Sequence, residues 1–189
     1  MMFPKGTEIG FETEMSAFGL NFCHGLGLGL HERPLISRLN SFIGYRTCYY
    51  RTFAVGKATP AQRDAYKKAR NWMDGAISML KPGVSTDKVA KMFPKSTEIG
   101  FETEMSAFGL NFCHGLGLGL HERPLISRLN SFIEPYELKV GMVFAVETFC
   151  PAKDGVSAAR IEEEVVLTPE GARIISLYPA QELPVANAY

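Results

Sequence analysis

The chain has 189 residues, the size of one domain or of one domain with an appendage. Lys and Arg together balance Asp and Glu, 20 against 20, so no charge excess is present to hold a nucleic-acid backbone or an acidic membrane. Apolar residues at 46% and charged residues at 21% are near the averages for soluble globular domains, no stretch nears the roughly 18 apolar residues of a membrane span, and the opening residues lack a signal-peptide layout. A cytoplasmic protein with neither a nucleic-acid nor a membrane partner is expected.

In chain order the first feature is a duplication. The string from Met2 to Ile43 recurs from Met92 to Ile133 with one change, Gly6 against Ser96. Stacked repeats share a pattern but vary at surface positions, and about three are needed to build a continuous core. Two near-identical copies fit neither condition and point to a recent duplication or to an error of gene model or assembly. Close-packed interiors offer one niche per segment, so one copy is expected at home and the other displaced. Residues 1–43 are taken as a displaced or poorly ordered segment, and residues 44–189 as the folded domain.

The lead-in to the second copy supports that choice. Thr59-Pro60-Ala61-Gln62 reads as a capping box with proline at the first helical position. Ala65, Ala69, Trp72, Met73, Ala76, Ile77 and Leu80 then recur at the spacing of one buried helical face, and Lys81-Pro82-Gly83 ends it. Ser85 or Thr86 can cap a shorter helix through Val89, Met92 and Phe93. Three strands follow: Leu138 to Phe149, Ala159 to Thr168 and Ala172 to Leu177, the last two joined by Pro169-Glu170-Gly171 as a hairpin. The residues from Leu183 to Tyr189 read as an extended tail. Cys23, Cys48, Cys113 and Cys150 show no CxxC pair and are expected to be reduced, packed thiols.

Several residues could do chemistry. The run from His114 to Pro124, HGLGLGLHERP, is neither a dinucleotide fingerprint nor a phosphate loop, and Pro124 obstructs a zinc-binding HExxH helix. It reads as a flexible, extended glycine segment that brings His114 and His121 near one another, or as a loop whose histidines only satisfy local hydrogen bonds. Glu147 lies in an otherwise apolar strand, where an unpaired carboxylate is costly. A metal cation, an arginine such as Arg160, or escape to solvent at the strand end would each relieve it. Within the run Glu162-Glu163-Glu164, alternation groups Glu163 with Ile161, Val165 and Leu167 and does not single out Glu162.

Taken as an ordered set, His114-Gly-Leu-Gly with His121-Glu-Arg-Pro, then Phe144-Ala-Val-Glu147, then Arg160-Ile-Glu162, resemble the pita-bread metalloenzyme family of methionine aminopeptidases, Xaa-Pro aminopeptidases, prolidases and creatinases. The resemblance covers roughly residues 44 to 189. It implies an α/β (α+β) fold, the C-terminal part of a pita-bread domain, with an antiparallel sheet and helices on one face. It implies His114, Glu147 and Glu162 as metal ligands, the Arg-Ile-Glu register choosing Glu162 over Glu163, and His121 as the catalytic histidine that binds substrate or moves a proton. The closing segment resembles the branch that contains dimethylsulfoniopropionate lyases, which would remove a proton beside a carboxylate and expel a sulfide.

The chain departs from the family in lacking both metal-binding aspartates. Cys48, in Cys48-Tyr49-Tyr50-Arg51-Thr52-Phe53, occupies the place of one, as a packed thiol or a soft substitute ligand. The other should lie upstream, where the first copy stands. The expectation is a hydrolase by lineage, weak or inactive, holding one divalent ion (Mn, Fe, Co or Zn) weakly rather than two. Its substrate would be a small molecule or short peptide, homodimerisation is possible, and a non-catalytic binding module is the reading from another class.

Overall fold

A computed structural model of the chain describes residues 36–42, as backbone, and residues 44–187. The expected disorder or displacement of residues 1–43 falls chiefly on residues 1–35, which with Cys23 lie outside the described residues. The last residues of the first copy form a strand, β1 (Ile36–Phe42), paired antiparallel with β2 (Tyr45–Arg51). The same heptapeptide recurs at Ile126 to Phe132, where Ile126 ends a strand and residues 127–132 turn, held by Ser131 N–H to the Ser127 carbonyl at 2.9 Å. Identical residues thus take two conformations because their neighbours differ, the usual way tertiary context overrides local propensity.

The frame is a five-stranded antiparallel sheet ordered β5-β4-β6-β7-β8: β4 (Phe112–Gly115), β5 (Glu122–Ile126), β6 (Val143–Pro151), β7 (Ala158–Thr168) and β8 (Gly171–Ile174). Helix α1 (Pro60–Met79) packs across one face. Its capping box forms as expected: the Gln62 N–H donates to Thr59 Oγ1 at 3.3 Å and the Thr59 N–H to Gln62 Oε1 at 3.0 Å. Ala65, Ala69, Met73, Ala76 and Leu80 are buried against Cys113, Phe144, Val146, Ile161, Val165 and Leu167, while Trp72 and Ile77 are half-buried at the margin. The alanines let the helix sit close, and Met73 and Leu80 each contribute about 1.5–3 kcal/mol by burial. Among the described residues no helix is long and apolar enough to cross a membrane.

Three expected elements change at their ends. The second helix, α2 (Thr86–Ala90), stops before Met92 and Phe93, because Pro94 disfavours helical geometry at the residue before it. Ser85 sits at its N-cap without a side-chain capping hydrogen bond, and Thr86 Oγ1 accepts from the Tyr136 N–H at 2.9 Å. Strand β6 begins at Val143 rather than Leu138, since Gly141 turns the chain at φ 88°. The β7–β8 hairpin forms with Thr168 opposite Gly171, but β8 ends at Ile174. In the expected tail, β9 (Val185–Ala186) pairs parallel with β3 (Ala54–Val55).

The strands β4 and β5, unforeseen in the glycine-rich run, are the larger correction. That run is not a flexible segment: it joins two paired strands. Gly115 is required there, because a Cβ would meet the Glu122 carbonyl oxygen at 2.8 Å. Gly119 N–H donates to Glu122 Oε1 at 2.6 Å and closes the connection.

A buried ionic cluster joins the layers. Strand alternation puts Glu163 on the helix side of β7, opposite in direction to Glu162. Glu163 meets Arg51 Nη2 at 2.9 Å and Arg70 Nη1 at 3.1 Å, and Arg70 also holds Asp74 at 2.6 Å. Arg51 further donates to the carbonyls of Tyr50 (3.0 Å), Pro179 (3.2 Å), Tyr178 (2.5 Å) and Glu162. It thereby anchors β2 beside the stretch of β7 that β8 leaves unpaired. Thr52 Oγ1 adds two bonds to the Arg160 backbone, both 2.8 Å. Arg51→Ala strands the Glu163 carboxylate and these carbonyls, and is expected to cost about 3 kcal/mol or more. Arg70→Ala should cost less, because Arg51 still pairs Glu163. Urea unfolding checks both, and a loss below about 1 kcal/mol for Arg51→Ala would contradict the anchoring role.

Candidate metal centre

The sheet face away from α1 is polar at one place. Strand pairing sets Glu147 of β6 directly opposite Glu162 of β7, and His114 of β4 opposite Ala145, next to Glu147 on the same face. His114 and Glu162 are fully buried and Glu147 nearly so. His114 Nε2 lies 3.3 Å from Glu147 Oε1 and 3.8 Å from Glu162 Oε1, without making a well-formed hydrogen bond to either. Its Nδ1 is 3.0 Å from the Gly115 carbonyl, an oxygen that can only accept, so Nδ1 carries a proton and Nε2 is the atom aimed at the carboxylates.

His121, half-buried at the start of β5, stacks obliquely on His114 with ring centroids 4.3 Å apart. Strand β2 supplies the other wall. Alternation along it turns Cys48 and Tyr50 to the site and Arg51 to the Glu163 cluster. The Cys48 N–H donates to Glu164 Oε1. Tyr50 donates its hydroxyl hydrogen to Glu147 Oε2 and accepts from Arg160 Nε. Arg160 lies over the Tyr50 ring at 4.6 Å, pairs with Glu147 Oε2 at 2.5 Å and donates to the Gly109 carbonyl at 3.1 Å.

The two facing carboxylates therefore live differently. Glu147 gives one oxygen to Arg160 and Tyr50 and turns the other to His114. Burial alone would raise its pKa, but Arg160, His114 and Tyr50 outweigh that and hold it down, at about 2. Glu162 has no hydrogen-bond donor of good geometry on either oxygen among the described residues. Burial, and then the charge of Glu147, push it up to about 8. Burial disfavours a charge on His114, yet the closeness of its ring to the Glu147 and Glu162 carboxylates raises it to about 10. His121 is lowered to about 4 by burial and by repulsion from His114. Burial and the surrounding carboxylates keep the Cys48 thiol protonated far above its ordinary range.

Each candidate read from the sequence has a definite place. His114 Nε2 lies near both Glu147 and Glu162, and His121 flanks His114. Arg160, one of three remedies considered for Glu147, is a real partner of it. Glu163, grouped by alternation with Ile161 and Val165, lies on the opposite face. Tyr50 was missed, although its position two residues after Cys48 on a strand was a usable signal. Two sets of ligand atoms lie within 4.8 Å of one another: Cys48 with His114 and Glu162, and His114 with His121 and Glu147. Buried Glu162 oxygens without donors among the described residues, one of them 3.8 Å from an imidazole nitrogen, suit a divalent cation and its preference for mixed nitrogen and oxygen ligands.

Three comparisons place the chain among known proteins. Residues 40–169 match the model of metallopeptidase family M24. The Xaa-Pro dipeptidase of Pyrococcus furiosus is 31% identical over 134 residues, 68% of this chain and 35% of that protein. The methionine aminopeptidase of Escherichia coli K12 is 27% identical over 149 residues, 70% of this chain and 55% of that protein. The crystal structure of dipeptidase PepE from Mycobacterium ulcerans superposes with a TM-score of 0.64 at 27% identity, covering 80% of this chain and 39% of that one. The sheet with its helices on one face is thus the pita-bread fold, as expected, and the chain spans about a third of the length of the Xaa-Pro dipeptidase it matches.

These shifts imply how stability depends on pH without metal. Glu147 and His121 have folded pKa values below their ordinary 4.5 and 6.5, so they favour folding as pH rises to about 6.5. Glu162 and His114 bind protons more tightly in the folded state, at about 8 and about 10 against 4.5 and 6.5, so the contribution of Glu162 is lost as pH rises from 4.5 to about 8 and that of His114 from 6.5 to about 10. The melting temperature in chelator is therefore expected to fall between pH 6.5 and 9, and Glu162→Gln to flatten that fall. A melting temperature that climbs over this interval would show that the cluster does not carry these charges.

Proposed function

Because the chain belongs to metallopeptidase family M24, we propose that it is the C-terminal, metal-binding portion of a metal-dependent hydrolase of short peptides, Xaa-Pro dipeptides foremost. The observation that carries the proposal is the approach of His114 Nε2 to Glu147 Oε1 and to Glu162 Oε1, the Glu162 oxygens having no hydrogen-bond donor among the described residues. His114, Glu147 and Glu162 are the residues that would hold the ion. A divalent cation in such a site supplies a Lewis acid for a peptide carbonyl and activates water near neutral pH.

The remaining chemistry is the chain's own. Nδ1 of His114, donating to the Gly115 carbonyl, fixes the ring with Nε2 toward the carboxylates. Arg160 and Tyr50 hold Glu147 by one oxygen and orient the other. His121 is half-buried and kept neutral at neutral pH, so it is able to accept a proton or hydrogen-bond a substrate. The missing aspartates set the level of activity. Cys48 brings no carboxylate charge, so a second cation would face little compensation, and one weakly held ion with weak or absent turnover is the expectation.

Metal analysis of the purified chain is expected to give at most one ion per chain, with Glu162→Gln losing it. Affinity should rise with pH between 6.5 and 9, because the ion must displace protons from His114 and Glu162. Two tightly bound ions per chain would overturn the single-site reading. Any hydrolysis of an Xaa-Pro dipeptide should drop about 100-fold or more in His121→Ala while metal affinity is kept. Turnover of dimethylsulfoniopropionate in place of the dipeptide would move the chain to the lyase branch. A protein that binds no metal and turns over neither would be a binding module.

A further inference from the structure

Cys48 stands in the wall of the site with its sulfur within 4.8 Å of ligand atoms of both His114 and Glu162. It is held there by geometry on two sides. The ladder with β1 sets Leu39 opposite Cys48, and the Cys48 N–H is fastened to Glu164 Oε1. Arg51, two residues from Tyr50's neighbour Tyr49 and facing away, locks the strand to β7 through the Glu162 and Tyr178 carbonyls. Cys48 is a free thiol. Facing it is Glu162, fully buried, both oxygens without a hydrogen-bond donor among the described residues. Glu147 is less available, since Arg160 and Tyr50 already occupy its second oxygen.

We propose that Cys48 is a metal ligand and takes the place given above to Glu147, so that the ion is held by Cys48 Sγ, His114 Nε2 and Glu162, a thiolate–imidazole–carboxylate set suited to zinc or cobalt rather than manganese, with Glu147 kept beside it by Arg160 and Tyr50. The inference rests on the reading of this cluster as a metal site and goes further in naming the donor and the metal class. A thiolate is a soft ligand that selects zinc over the harder manganese, which prefers carboxylate and water oxygens. On coordination the thiol proton leaves to solvent, as ligation by cysteine requires. Cys113 and Cys150 do not compete: Cys113 lies in the core with α1 on the other face of the sheet, and Cys150 is buried in that same core.

Cobalt(II) titration of the metal-free full-length chain tests this without any need for turnover. The expected result is a sulfur-to-cobalt charge-transfer band in the near ultraviolet that zinc abolishes. The band should be absent in Cys48→Ser and retained in Cys23→Ser. Cys48→Asp, which returns an oxygen donor and guards against misfolding of the serine variant, should lower the zinc-over-manganese affinity ratio about tenfold or more. Cobalt binding with ligand-field bands but no sulfur band, or a band that survives Cys48→Ser, would overturn the role of Cys48 and leave the metal site standing. Absence of any cobalt or zinc binding would overturn both.

Discussion

The site depends on one register: Glu147 directly across from Glu162 on adjacent antiparallel strands. Two carboxylates so placed repel, and their burial leaves little solvent exposure to screen them. The protein answers each differently. Arg160 and Tyr50 compensate Glu147, leaving Glu162 to be protonated, to share the charge of His114, or to meet a cation. A fold that spent its arginine on both would be more stable and would have no place for a metal. The imbalance between the two sides is what makes the pair usable.

The same strand that supplies Glu162 supplies the opposite solution one residue later. Glu163 points to α1 and is fully engaged by Arg51 and Arg70. Buried charge on β7 is thus structural on one face and available on the other, and pleating alone separates the two roles. Arg51 connects them, because the strand it anchors also presents Cys48 and Tyr50 to the site. This is why the site's geometry is coupled to the packing of α1, which lies on the other face of the sheet from the candidate ligands.

Cys48 sets the chain apart from the pattern its family motif suggests. In the role proposed for it, a thiol in place of the aspartate that the family resemblance implies removes a formal charge and softens the donor set. The consequence is local and chemical, and the frame of sheet and helix around it is that of an M24 domain. The duplicated segment adds a second peculiarity. Its last residues pair with β2, the strand that carries Cys48, so part of the first copy buttresses the wall of the candidate centre.

Much of this could be read from residues in order. The capping box at Thr59 and the apolar spacing to Leu80 specify α1, because local hydrogen bonds and one buried stripe suffice to define a helix. The alternation in β6 and β7 also exposed the conflict between Glu162 and Glu163. Alternation assigns residues to faces but cannot say which face meets a helix and which meets a cavity, so the choice of Glu162 came from resemblance. Strands β4 and β5 were hidden, because glycine spacing looks like loop when the backbone approach that demands it lies across another strand. The heptapeptide at Ile36 and Ile126 makes the limit plainest: one string of residues is strand in one place and turn in the other. Sequence determined which residues could ligate, cap and pack. Tertiary structure decided which of them meet, since burial and electrostatic compensation are properties of neighbours that only folding brings together.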